Sequence, residues 1–328
     1  MIPIMERFFN GLSHGEGQGK DNLFLVPIFR EGENEPRKYQ LLDEAMEAGC
    51  FRVSEVSKEG SVNTLMVENT GDKDVLILDG EELVGAKQNR MVNATILIAA
   101  RTSLKIPVSC VERGRWKYQS DEFKKSEVFG YASLRRQKAS QVSENLSMNS
   151  SFSSDQSAVW EEIDRKHVQM SSRSITGAMH DVYQNLKVKL DGFTRDLNPS
   201  SNQIGIAVFI NDYFNCMDVF THSDVLARLW NKLLTSYAME AAELGQHGKR
   251  RSTPKRMDEV LDALKLAEVR EFPSVGRGTD LRLKGTHLIG AALSADDILM
   301  HLALFQSFGA AKKNETYARP SQRRHHVE

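Results

Sequence analysis

Cysteine is scarce: the 328-residue chain has three, Cys50, Cys110 and Cys216, and no two are close. That spacing contains no CxxC pair and suggests neither a zinc cluster nor a disulfide framework, and free thiols fit a reducing cytoplasm. Charge of one sign is also missing, because 43 Lys and Arg face 44 Asp and Glu for a net charge of -1. Without a basic excess no general nucleic-acid binding is expected, although a local patch stays open. Long apolar runs are absent too. Residues 94–100 and 204–210 are among the longest, far short of the roughly 20 residues of a spanning helix, so no membrane is expected. The segment from Met1 to Arg7 has no basic stretch followed by an apolar one, and is not read as a signal peptide.

The 40% hydrophobic content over this length still allows a substantial core. Residues 10–21 are glycine-rich and polar and read as a loop. Strands are expected at 23–29, with Pro27 marking an edge or bulge, and at 51–56 and 65–69, where apolar residues alternate. A short helix is expected over 41–48. Val75–Leu78 runs into Asp79-Gly80, a strong hairpin signal between apolar runs, and strands follow at 94–99 and 106–111. Strands at this spacing, with no long helices between them, predict an antiparallel sandwich or barrel-like sheet in the N-terminal half.

The remainder predicts an α+β protein with packed helices and a second β-hairpin region. Residues 139–157 are serine-rich with few apolar anchors, and read as a mobile loop or insert. Asp155 caps a helix bearing Val159, Trp160, Ile163 and His167 on one side. A strand at 204–210 turns through Asn211-Asp212 into Tyr213–Phe220. The i,i+4 rows of 221–242 define a core helix, with Thr221 and Asp224 in capping-box form. Residues 245–256 read as a basic linker, Thr253-Pro254 as a helix start, and 281–283, 288–293 and 299–305 as strands. The expected organisation is a β-rich lobe (1–138), the Ser-rich insert (139–157), a mixed lobe (158–310) and a disordered tail (311–328).

Residues 76–86 (LILDGEELVGA) and 281–291 (LRLKGTHLIGA) share one grammar without a gap. They predict either a duplicated hairpin or two unrelated tight hairpins with the same turn chemistry. The first copy continues into Lys87-Gln88-Asn89-Arg90, the second into Ala292-Leu293, so hairpin geometry does not require the charged run.

That run, with Glu81-Glu82 and Glu112-Arg113-Gly114-Arg115-Trp116, lies at the ends of apolar strands that can meet on one rim. Lys87, Arg90 and Arg115 suit phosphate or carboxylate, Gln88 and Asn89 offer oriented donors and acceptors, and Trp116 offers a stacking face. Glu82 or Glu112 would transfer protons if burial tuned it. The alternative is a solvated rim of mutually paired charges. No ligand spacing supports a metal, although Glu81, Glu82 and Glu112 are the acidic residues that would recruit a divalent cation. Cys110 reads as buried and structural rather than nucleophilic. His180-Asp181 is a weaker acid–base pair, and Gly15–Lys20 fails the phosphate-loop pattern.

The strings LILDGEELVGAKQNRMVNATILIAA and IPVSCVERGRW, with DQSAVWEEI (155–163), SITGAM (174–179) and the segment from IGIAVFI to LARLWNKLLTSYAMEA, resemble the ADP-ribosylglycohydrolase and rhodanese-phosphatase-superfamily-associated protein domain family. The resemblance covers roughly residues 10 to 308, a whole domain. It implies handling of an ADP-ribose, NAD-derived or other phosphorylated, nucleotide-like metabolite. It carries over no catalytic residue and names no cofactor. The expected partner is therefore a small phosphorylated metabolite. A non-catalytic sensor or adaptor and a structural homo-oligomer are the rival readings.

Overall fold

Strand residues 205–210 are apolar on every position, unlike the alternating strands near the N-terminus, and the computed structural model shows why. Ile206, Val208 and Ile210 face one core cluster while Ala207 and Phe209 face another. A strand buried on both faces must sit inside a covered sheet. The structure describes residues 2–31, 36–245 and 254–307; the expected tail, and most of the linker with Thr253, lie outside them.

The chain begins with α1 (Pro3–Asn10), β1 (Leu12–His14), β2 (Gln18–Lys20), β3 (Leu23–Arg30), β4 (Tyr39–Leu41) and α2 (Leu42–Glu47). Next come β5 (Phe51–Glu55), β6 (Thr64–Asn69), β7 (Asp74–Ile77), β8 (Glu81–Gly85), β9 (Arg90–Val92), β10 (Ile96–Ile98), β11 (Thr102–Cys110) and β12 (Phe123–Phe129). Helices α3 (Ala132–Asn149), α4 (Gln156–Gln169) and α5 (Met179–Thr194) lead to β13 (Gly205–Ile210), β14 (Tyr213–Phe220), α6 (Ser223–Leu244) and α7 (Pro254–Lys265). The last strands are β15 (Glu268–Pro273), β16 (Thr279–Lys284), β17 (Leu288–Ala295) and β18 (Ile298–Gln306).

These elements make an α+β protein of largely antiparallel sheets, with β4–β7 as a parallel pair. A nine-stranded sheet runs β1-β3-β13-β14-β18-β17-β16-β15, with β2 also on β3. A six-stranded sheet, β12-β8-β9-β11-β6-β5, curls until its edges meet at the Ser54–Glu122 bridge, and β10-β7-β4 packs against it. Core residues of α3 to α6 share one cluster with the inner face of the large sheet, and α1 and α7 cover its other face. The lobe boundary drawn at 138 therefore divides a sheet, since β1–β3 join the one built by residues 205–306.

Several local expectations are corrected. The Asp79-Gly80 turn does not close a hairpin, because β7 and β8 belong to different sheets. Gly80 adopts φ +97°, donates its N–H to the Val92 carbonyl and accepts from Gly130 N–H, so it carries the chain from one sheet to the next. A Cβ there would lie 2.7 Å from Phe129 and 2.8 Å from Arg135, which explains the glycine. The second copy is a true hairpin, β16–β17. The shared string therefore encodes two different turns, not a duplication.

The Ser-rich stretch is not a loop, since α3 extends to Asn149. Its inner face sets Arg135 and Lys138, paired with Asp218 and Asp79, among the buried Ala132, Leu134, Ala139, Val142 and Leu146. The serines that follow are tied down: Phe152 O accepts from Asn93 Nδ2, Ser153 O from Asn145 Nδ2, and the Ser154 and Ser109 hydroxyls lie 2.6 Å apart. The glycine-rich 10–21 segment contains β1 and β2, and Pro27 stands opposite the break between them. Asp155 caps α4 by accepting from Ser157 and Ala158 N–H. Thr221 and Asp224 form no capping box: α6 starts after His222, and the Thr221 hydroxyl donates instead to the Leu299 carbonyl.

Candidate functional site

The loops joining β5 to β6, β8 to β9 and β11 to β12 meet at one end of the curled sheet, and they bring most of the singled-out polar residues together. Arg115 donates from Nε to Glu112 Oε1 (2.9 Å) and from Nη2 to Glu112 Oε2 (2.6 Å) and Asn89 Oδ1 (3.1 Å). Its Nη1 donates to the Ala86 and Lys117 carbonyls at 2.8 and 3.2 Å. Glu112 also accepts from Asn89 N–H (3.0 Å) and Thr176 Oγ (2.9 Å). Both carboxylate oxygens are occupied, so Glu112 presents no open lone pair as a base.

Arg90 is fully buried, and that burial pulls its guanidinium down from the usual value. It donates to Gln88 O and Oε1 at 3.1 and 3.2 Å and to Ser61 O at 3.3 Å, with Glu55 3.8 Å away. Gln88 turns its amide N–H to the Glu112 carbonyl (2.8 Å). Lys87 donates to Glu59 O (2.6 Å), and its ammonium lies 5.0 Å from the ring centres of both Trp116 and Tyr118. Trp116 is 48% exposed. Arg90 and Arg115 thus stitch loops together; Arg115, its fork satisfied, has little left for a ligand, while Arg90 Nε is buried with no hydrogen-bond partner among the described residues. Lys87 keeps a single hydrogen bond among the described residues.

Glu82 faces elsewhere. Side chains alternate along β8, so Leu83 enters the curled sheet's core while Glu82 points to the opposite face, toward α5. Its Oε2 accepts from Ser126 Oγ (2.6 Å) and lies 2.9 Å from His180 Nδ1. Its Oε1 is buried without a hydrogen-bond partner among the described residues. Ser126 reaches it because β12 slips register between Lys125 and Phe129, and such bulges re-aim a side chain.

His180 stands at the second position of α5, its side chain 23% exposed. The segment before it is clamped to the end of β11: Gly114 N–H donates to Thr176 O (2.6 Å), Met179 N–H donates to Val111 O (2.9 Å), and Glu112 bridges Ala178. A Cβ on Gly114 would sit 2.9 Å from the Thr176 backbone, so the close approach needs glycine. The Glu82 hydrogen bond raises His180 above its ordinary pKa, with burial opposing and the charges of Glu82, Asp181 and Glu112 assisting. A histidine whose Nδ1–H donates to a carboxylate has Nε2 fixed as its working nitrogen. Nδ1 makes the one hydrogen bond that His180 has among the described residues.

The sequence singles out Glu82 and His180 separately and misses both their pairing and Ser126. The signal for the pairing was slight, a histidine following the small residues of GAMHD. A second polar system was missed altogether. Asp218 takes Arg135 through two bonds (3.0 and 2.7 Å), Tyr237 Oη at 2.7 Å and His301 Nε2 at 3.0 Å. Thr95 Oγ lies 2.8 Å from His301 Nδ1, and Lys138 lies 2.5 Å from Asp79. All of these residues are buried, which makes the network an internal brace. Arg135 holds Asp218 well below the usual carboxylate range, despite burial.

Other candidates resolve into structure. Burial pushes the Cys110 thiol up, and its Sγ contacts Gln88 Oε1 at 3.2 Å, which does not suit a nucleophile. His167 Nε2 lies 3.0 Å from the Ala178 carbonyl inside the fold. Among the described residues no three His, Cys, Asp or Glu gather as metal ligands, and no helix is long and apolar enough to cross a membrane.

Fold and site together describe an α+β domain of antiparallel sheets with a carboxylate–histidine pair on the outer face of a curled sheet. Residues 11–305 match the model of the ARG and Rhodanese-Phosphatase-superfamily-associated Protein domain, and the chain belongs to that family. No curated protein and no solved structure matches the chain.

Proposed function

We propose that the protein binds and processes a nucleotide-like phosphorylated metabolite, with His180 as the proton-transferring group. The observation that carries this reading is the 2.9 Å contact from His180 Nδ1 to a buried Glu82 whose second oxygen has no partner. Nε2 takes a proton from water or a hydroxyl, Glu82 stabilises the resulting imidazolium, and Ser126 fixes the Glu82 rotamer. This moves the proton-transfer role from Glu112 to His180 and keeps Glu82 as its partner. For ligand contacts the reading retains Lys87 and the Trp116 face, and assigns Gln88, Asn89, Arg90 and Arg115 to shaping the loops that present them. Glu112 joins the two regions, bonding Arg115 on one side and Thr176 on the other.

The family description names phosphatase-superfamily association, which makes phosphorylated compounds the first class to test; ADP-ribose and NAD derivatives follow from the motif resemblance. The test is a thermal-shift screen of NAD, ADP-ribose, nucleotides and sugar phosphates, with and without magnesium. Any compound that raises the melting midpoint is then assayed for turnover on wild type and His180→Gln. A loss of about 100-fold or more is expected, the usual contribution of a positioned acid–base group. Unchanged turnover in His180→Gln would end the assignment.

A second reading is favoured by the saturated guanidinium group of Arg115: a sensor or adaptor that binds without chemistry. Stabilisation by a ligand with no turnover supports it.

A further inference from the structure

The outer face of the nine-stranded sheet carries a cleft unrelated to Glu82 and His180. It lies between α7, the β13–β14 turn and the β16–β17 turn, with a volume of about 390 Å³. Phe209, Phe214, Val260, Ala263 and Leu288 give it apolar walls, and His287 and Gln306 stand among its polar lining. Phe209 and Phe214 pack edge to face at 5.8 Å. One cation stands at the rim. The Arg256 guanidinium lies 5.2 Å from the ring centre of Tyr213, and Tyr213 is itself 66% exposed. Arg256 Nη1 is buried and has no hydrogen-bond partner, and among the described residues Arg256 makes no ion pair. Arg256 as a whole is half-buried, so the rest of its guanidinium fork is what an anion arriving from outside can meet.

We infer that this cleft is a second ligand site, taking a monocarboxylate with an apolar body, its carboxylate on Arg256 and its body against the phenylalanines. Size and lining match those of small-molecule sites, which are mostly apolar with a few placed polar groups. The flat guanidinium, held against Tyr213, offers the two-pronged geometry that a carboxylate fits. Glu259 and Asp212 also line the cleft. Their negative charge disfavours a dianion, so a single-charge carboxylate is selected over phosphate.

The test is calorimetric titration of the full chain with octanoate, repeated on Arg256→Gln and Ala263→Trp. The glutamine variant removes the cation but no hydrogen bond among the described residues, so its melting midpoint should stay near wild type. The tryptophan variant fills the cleft. Octanoate should bind wild type, weaken at least tenfold in Arg256→Gln and fail to bind Ala263→Trp. Absence of wild-type binding, or undiminished binding in either variant, overturns the inference. So does displacement of octanoate by an equal concentration of inorganic phosphate, which would make the site one for phosphate.

Discussion

Two polar regions of this chain look alike in sequence and differ in one physical respect. At the end of the curled sheet, Glu112, Arg115, Asn89, Gln88 and Arg90 bond mainly to one another and to nearby carbonyls. On the opposite face of β8, Glu82 keeps a buried oxygen without a partner beside a half-buried histidine. The density of polar residues is greater in the first region. Each keeps unsatisfied atoms, Arg90 Nε and Glu55 Oε1 in the first and Glu82 Oε1 in the second, but the second sets its open oxygen beside a half-buried histidine, which a proton can use. Polar clustering by itself therefore does not single out the proposed site.

The largest expected effect tests the first region as a structural brace. Arg115→Leu leaves Glu112 buried and uncompensated, so stability should fall by about 3–5 kcal/mol, as for broken buried pairs. Replacing Glu112 and Arg115 together with apolar residues should recover a large part of that loss. Urea unfolding midpoints measure both. If Arg115→Leu melted like wild type but lost ligand binding, Arg115 would belong with the ligand and the comparison would collapse.

A smaller stability effect with a larger functional one is expected at Gly114. Alanine there would press on the Thr176 backbone and shift the segment that sets His180 opposite Glu82. A stability loss of about 1–3 kcal/mol is expected, together with a downward move of the His180 titration seen by NMR. A merely local packing defect would leave that titration unchanged.

Much of the fold was legible because it rests on periodicity. The buried run at 205–210, the Asn211-Asp212 turn with both residues at positive φ (50° and 68°) and the rows of 221–242 all read correctly. Helix α3 was not legible, because two buried cations, Arg135 and Lys138, interrupt its apolar row and serines fill its outer positions past residue 139. The Asp79-Gly80 turn misled because a local signal reports a reversal of the chain but not which sheet receives the next strand. The candidate site was half legible: Glu82 stood out in its motif, while its partner lies 98 residues away and meets it through the Gly114–Thr176 clamp. No spacing rule encodes such a contact.

The pH dependence separates the two regions further. His180 is raised above its ordinary value, mainly by Glu82. The stabilisation of the charged pair is therefore fully present below the unfolded histidine value and is lost as pH rises through the higher folded one. Wild type and His180→Gln should differ most in melting midpoint on the acidic side and converge on the alkaline side. Glu82→Gln should flatten the same difference. A gap that widened with pH would contradict the pairing.

The smallest effect belongs to Trp116, at the border between brace and ligand site. Its ring is about half exposed, and it meets Lys87 at 5.0 Å and Arg90 at 5.8 Å. Cation–ring contacts at exposed sites contribute about 0.5–1 kcal/mol, so Trp116→Ala should cost about 1 kcal/mol of stability. If the indole also carries a planar ligand group, the same change should weaken a stacking ligand by about 1–3 kcal/mol. Trp116→Phe should restore most of that binding, because a flat ring remains. Equal loss in the alanine and phenylalanine variants would mean that the indole serves the brace through its edge, leaving the ligand role at that end of the sheet to Lys87.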